Sequence, residues 1–142
     1  MEYTKSSHYI YHCRYHVIIV TKYRRAVFND GTYEFFNKCV QNICHHHPQI
    51  EIVEMNHDKD HVHILISIPP SQSVGGVVRH IKSQTGRLMK REFAFIKKLY
   101  YGSDGIWSDG YFVSTAGVDE AGIREYIKHQ GNEDLGQTKF AF

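Results

Sequence analysis

Asp60-His61-Val62-His63-Ile64-Leu65-Ile66-Ser67-Ile68 reads as a buried strand that carries two histidines. Side chains alternate faces along a strand, so Val62, Ile64, Ile66 and Ile68 share one side while His61 and His63 share the other. The aliphatic side needs a cover of helices; the other side is polar and equipped for chemistry. Residues two apart in a strand have Cα atoms roughly 6 to 7 Å apart, which lets both imidazoles reach one metal ion at about 2.0 to 2.2 Å. The same pair also suits a half-exposed polar surface, and spacing alone leaves both readings open.

Upstream, Ile50 to Met55 is a short strand, and Asn56-His57-Asp58-Lys59-Asp60 turns it back onto the histidine strand as a hairpin. Tyr9 to Val20 alternates as a first strand, with Tyr15, Val17 and Ile19 on one face and His16, Ile18 and Val20 on the other. Between these strands, Asp30 caps a helix whose Phe35, Phe36, Cys39, Val40 and Ile43 keep the helical period. It ends in Cys44-His45-His46-His47, where imidazolium suits the helix dipole; three consecutive helical histidines point apart and cannot share an ion.

Downstream, Pro69-Pro70 closes the strand and Ser71 or Ser73 opens a helix running to about Arg91. Val74, Val77, Val78, Ile81 and Leu88 fall on one side of it, and Arg79, Lys82, Arg87 and Lys90 on the opposite side without an acid among them. A stripe of one sign fits a surface that tracks phosphates. Leu99 to Gly110 reads as a loop, Tyr111 to Thr115 as a fourth strand, and Ala116-Gly117 as a turn or hinge. Asp119 then caps a last helix, Glu120 to Gln130, with Gly131 as its stop. The order β-α-β-β-α-β, with an added C-terminal helix, predicts an α+β, ferredoxin-like (RRM-like) antiparallel sheet.

With 142 residues, 42% of them apolar, residues 1–142 are expected to form a single domain, its core at about 8–131 and a tail at 132–142. No apolar run approaches the roughly 18 residues of a membrane span, and the start has no apolar signal core, so a cytosolic protein without membrane contact is expected. Cys13, Cys39 and Cys44 are odd in number and lack CxxC spacing, which argues against a disulfide framework and for a reducing compartment. A net charge of only +2 hints at a polyanion partner through clustering alone. Besides the helix stripe, Lys22-Tyr23-Arg24-Arg25 after the first strand combines cations with an aromatic ring, which suits phosphate contact and a stacked base.

On the last helix Ile123, Tyr126, Ile127 and Gln130 share one arc of roughly 100°, so a tyrosine and a glutamine sit one turn apart on the inward face. If both earlier helices cover the aliphatic side of the sheet, this helix covers the histidine side. His61-Val62-His63 together with Tyr126-Ile127-Lys128-His129-Gln130 resembles the single-tyrosine HUH transposases of the insertion sequence 200/605 type. The resemblance extends to Tyr15-His16-Val17-Ile18 with Lys22-Tyr23-Arg24-Arg25, to Asp58-Lys59-Asp60, and to Trp107 with Gly110-Tyr111-Phe112-Val113-Ser114-Thr115, about residues 8 to 131.

What it implies is a dimeric prokaryotic transposase that recognises single-stranded DNA with subterminal hairpins, then cuts and rejoins it through a 5′-phosphotyrosine. Tyr126 would be the nucleophile and His61, His63 and Gln130 the metal ligands, with the tyrosine helix exchanged between subunits. A free tyrosine hydroxyl, with a pKa near 10, is a poor nucleophile at neutral pH. A divalent ion on two imidazoles and an amide oxygen keeps its charge and open positions for phosphate oxygens, which favours Mg2+ or Mn2+ over zinc. Asp60 is placed to orient an imidazole from behind. No nucleotide-binding motif is present, and rejoining through a phosphotyrosine requires none. Two other readings compete: a relaxase or replication initiator, and a domesticated, non-catalytic hairpin- or RNA-binding module of the same topology.

Overall fold

The computed structural model describes the backbone of residues 4–5, 10–11, 13–115 and 120–140. Along the chain these form β1 (Thr4–Lys5), β2 (Ile10–Tyr11), β3 (Arg14–Val20), a 3-10 turn (Lys22–Arg24), α1 (Asp30–His46), β4 (Glu51–His57), β5 (His61–Ser67), α2 (Val74–Glu92), α3 (Ala94–Leu99), β6 (Phe112–Ser114) and α4 (Glu120–Phe140). β4, β5, β3 and β6 make one antiparallel sheet in that spatial order. This is the ferredoxin-like arrangement, with the strand from the first βαβ half between the two from the second. β1 and β2 pair separately.

The aliphatic face is covered as expected. Val62, Ile64, Ile66 and Ile68 are each 1% exposed or less, and with Val17 and Ile19 they meet Phe36, Val40 and Ile43 of α1 and Val77, Val78, Ile81 and Met89 of α2. Each such side chain contributes about 1.5 to 3 kcal/mol by leaving water. Trp107 fills the end of this core, its Nε1 donating to Thr85 Oγ1 at 3.1 Å. A smaller cluster lies on the opposite face, where Ile123 and Ile127 of α4 pack on Ile18 and Val20.

Several sequence expectations are corrected. The strand expected from Tyr9 to Val20 is two pieces, because residues 10–11 pair with β1 while residues 14–20 pair with β5 and β6. Alternation reports a pleated segment but not a change of partner. Asn29, not Asp30, caps α1: its side chain accepts from Thr32 N at 3.0 Å, and the Thr32 hydroxyl accepts from Asn29 N at 2.9 Å. Asp30 instead lies in the first turn, where a carboxylate suits the helix dipole. Residues 94–99 form α3 just before the expected loop, a helix too short to show a period. α4 continues through Gly131 to Phe140. Ala116, Gly117 and Asp119, read as hinge and cap, lie outside the described residues.

Two expectations about helix ends hold. Ser73 caps α2, and His45 and His46 end α1, with His47 closing it through its backbone. The three cysteines are free. Among the described residues no helix is long and apolar enough to cross a membrane.

Candidate active site

Strand register defines the site. Val20 pairs with His61, and Ile18 pairs with His63 on one side and Phe112 on the other. Directly opposed residues share a face, so Asn56, His63, Ile18 and Phe112 form one row across it. α4 covers the Ile18 and Val20 part of this face and leaves the histidines beside it.

The His61 and His63 rings stand edge to face with centroids 4.7 Å apart. Asp60 Oδ1 lies 2.7 Å from His61 Nδ1. A carboxylate in that position accepts from Nδ1–H, fixing the tautomer that leaves Nε2 with a lone pair for a ligand. Burial alone would raise the Asp60 carboxyl, but hydrogen bonds from His61 and Arg24 outweigh it and hold the group below its ordinary range. Burial pushes His63 down to about 4, helped by the neighbouring His61 and His16 imidazoles, so this ring is neutral at neutral pH. His16 is a third imidazole on the face, edge to face with His63 at 5.7 Å, and burial lowers its pKa as well. The alternation of the first strand had placed it beside Ile18 without marking it as a site residue.

On α4, Tyr126, Gln130 and Asp134 follow at intervals of one turn. The Tyr126 ring lies 6.0 Å from Phe112, and a Cβ built on Gly110 would stand 3.9 Å from its hydroxyl. Gln130 is 3% exposed, and its Nε2 is buried with no hydrogen-bond partner among the described residues. It lies between Ile127, packed on Val20, and Asp134, bonded to the Tyr23 backbone. Among the described residues no three His, Cys, Asp or Glu side chains gather to hold a metal. The structure therefore brings His61 and His63 together and places Tyr126 over Phe112, two strands away, or about 10 Å between backbones.

The expected DNA-contacting cations are partly committed within the fold. Arg24 Nε donates to Asp60 Oδ2 at 3.2 Å. Arg25 stacks over the Tyr23 and Tyr100 rings, at 5.0 and 5.4 Å, and donates to the Leu99 carbonyl. Lys22 lies 5.8 Å from the Tyr23 ring centroid. Lys82 donates to the carbonyls of Ser108 and Gly110, and Lys90 to those of Tyr100 and Ser103. Both lysines thus pin the loop after α3 to α2. Burial lowers the Lys82 pKa against the pull of Asp109 and Asp134. Arg79 and Arg87 stay exposed beside them, and all four line a cleft of about 770 Å3 that includes Trp107 and Tyr111.

The sequence model of the family described as IS200-like transposases matches residues 9–130, nearly the whole of the fold and all of this face. The chain belongs to that family. The transposase for insertion sequence element IS200 from Salmonella typhimurium is 31% identical over 128 residues, covering 90% of this chain and 83% of that one. The ISDra2 transposase TnpA from Deinococcus radiodurans is 27% identical over 135 residues, covering 94% and 95%. A crystal structure of a candidate transposase from Deinococcus radiodurans R1 superposes with a TM-score of 0.79 at 28% identity, covering 89% and 97%. A REP-associated tyrosine transposase bound to a REP hairpin has a TM-score of 0.56 at 15% identity, covering 87% and 67%, and shares the fold. In this IS200-like transposase the histidine face and the first half of α4, through Gln130, lie within the matched segment.

Proposed function

We propose that this transposase binds single-stranded DNA with hairpins at the ends of its element, then cuts and rejoins it with Tyr126 as nucleophile. The observation that carries this reading is the sharing of one sheet face by two imidazoles, one with its tautomer fixed by Asp60, and a helix stripe bearing Tyr126 and Gln130. The donor set fits a divalent ion: His61 through Nε2, His63 as a neutral ring, and the buried Gln130 amide, whose nitrogen finds no partner among the described residues. When bound, Mg2+ or Mn2+ would supply charge to the phosphate oxygens and stabilise the leaving 3′-oxygen.

The chain's own residues do the rest. The Tyr126 oxygen attacks phosphorus and releases its proton to solvent; the bond to the 3′-oxygen breaks, and that oxygen takes up a proton. Rejoining reverses the balance: a 3′-hydroxyl attacks the 5′-phosphotyrosine and the phenol leaves. Because Tyr126 stands over Phe112, reaching a phosphate beside the histidines requires a rotamer change, which swings the hydroxyl several ångströms, or a helix supplied by a dimer partner. Arg79 and Arg87 on the cleft, with Lys22 and Arg25, supply phosphate contacts; Lys82, Lys90 and Arg24 shape the surfaces that present them. Support for a hairpin ligand comes from the neighbour of the same fold bound to a REP hairpin.

The test is incubation with labelled single-stranded DNA from both ends of the element with Mg2+ or Mn2+, read on a denaturing gel and by mass spectrometry. The expected result is a metal-dependent adduct on Tyr126, lost in Tyr126→Phe and His63→Ala. Tight hairpin binding with no adduct under either metal would leave a binding module.

A further inference from the structure

The loop between β3 and α1 bends through two consecutive non-glycine residues in the left-handed region, Tyr23 at φ 62° and Arg24 at φ 51°. That conformation is uncommon for residues with a β-carbon and persists only where the surroundings hold it. Each residue is held from a different half of the site. Tyr23 N–H donates to Asp134 Oδ2 at 2.7 Å, on the tyrosine helix. Arg24 Nε donates to Asp60 Oδ2 at 3.2 Å, and the other oxygen of Asp60 holds His61. Asp134 is 0% exposed and also accepts from Ser108 Oγ at 2.6 Å, while Ser108 N–H donates to Val20 O at 2.8 Å. A carboxylate is buried at a large desolvation cost unless donors surround it, so these bonds mark a fixed point on α4.

We propose that Asp134 is a positioning residue for Tyr126: by gripping the Tyr23–Arg24 turn and Ser108, it sets the rotation and rise of α4 over the histidine face. This rests on the reading of Tyr126 as nucleophile. The turn is a bracket with one arm on the tyrosine helix and the other, through Arg24 and Asp60, on the histidine strand. A slip of one residue would rotate α4 by about 100° and carry Tyr126 and Gln130 off the face; Asp134, on the same stripe, blocks that slip.

The test compares Asp134→Ala, Asp134→Asn and Ser108→Ala with the wild type in the full chain, by amide hydrogen exchange and by single-turnover adduct formation at saturating DNA. In Asp134→Ala, protection falls across residues 120–140 and at 21–24 while β3 and β5 keep theirs. Adduct formation slows about tenfold or more, and Mn2+ binding weakens with it because Gln130 rides on the same helix. Asp134→Asn, which keeps an oxygen acceptor, recovers most of the rate, and Ser108→Ala shows the alanine pattern at smaller amplitude. Wild-type protection of α4 in Asp134→Ala, or an adduct rate within about twofold of wild type, overturns the proposal. So does a loss of protection spread equally through β3 and β5, which would make Asp134 a folding residue. A wild type that forms no adduct overturns the nucleophile reading and the catalytic half of this proposal with it, while the exchange data separately decide whether Asp134 holds the helix.

Discussion

The Asp60 carboxylate contacts His61 Nδ1 through one oxygen and Arg24 Nε through the other, and both contacts bear on how firmly a single imidazole is aimed. Removing the carboxylate frees the ring to rotate and to change tautomer, so Asp60→Ala should weaken Mn2+ binding by about 10- to 100-fold, read by titration calorimetry. His63 carries a separate, pH-dependent signature. Its folded pKa of about 4 lies below the value of 6.5 for an exposed ring, so the unfolded chain takes up the proton first. Its contribution to stability is complete above about pH 6.5 and is lost as pH falls from there through about 4. The full shift, reduced for solvent reaching a half-buried ring, amounts to on the order of 2 kcal/mol. Urea unfolding of the metal-free protein at pH 7.5 and pH 4.5 should show that loss, and His63→Asn should flatten it. The two histidines were legible at once from alternation. Their companion His16 was not singled out, because what distinguishes it is a neighbour on the next strand, a fact of register.

At the scale of elements, helix ends are where local sequence and structure differ most instructively. α1 starts at a reciprocal pair, Asn29 with Thr32, and Asp30 beside it makes no side-chain cap. Asn29→Ala should therefore cost about 1 to 2 kcal/mol in urea unfolding, whereas Asp30→Ala should stay within about 0.5 kcal/mol; equal losses would restore Asp30 as the cap. Two neighbouring polar residues before a helix look alike in sequence, and backbone geometry chooses between them. α4 was read as ending at Gly131 because glycine is a common stop, yet a tertiary bond at Asp134 outweighs that local preference. Likewise, the basic stripe of α2 was legible as a stripe, but the commitment of Lys82 and Lys90 to loop carbonyls depends on a distant segment. α3 has six residues and left no period to find.

For the whole molecule, sheet order and most of the core were legible because period-2 and period-3.6 patterns separate along this chain; Leu88, assigned to the core side of α2, is only half-buried, and Met89 fills the core beside it. The mutual placement of Tyr126 and the histidines was not legible, since it depends on how α4 lies on the sheet. With Tyr126 two strands from the histidines of its own chain, exchange of α4 between the subunits of a dimer would close the same contacts from a partner. Mixing a His61→Ala chain with a Tyr126→Phe chain is therefore expected to restore cleavage on a denaturing gel. Failure of the mixture, with each parent dimer intact, would assign each site to a single chain. Among the described residues the larger apolar cluster contains none from α4, and the smaller joins α4 to two buried side chains of β3. In evolutionary terms the helix that carries the proposed nucleophile, held by this small cluster and by Asp134, can change its outer face without rewriting the interior, while the histidine strand, buried on its other side, is held to the pace of the core.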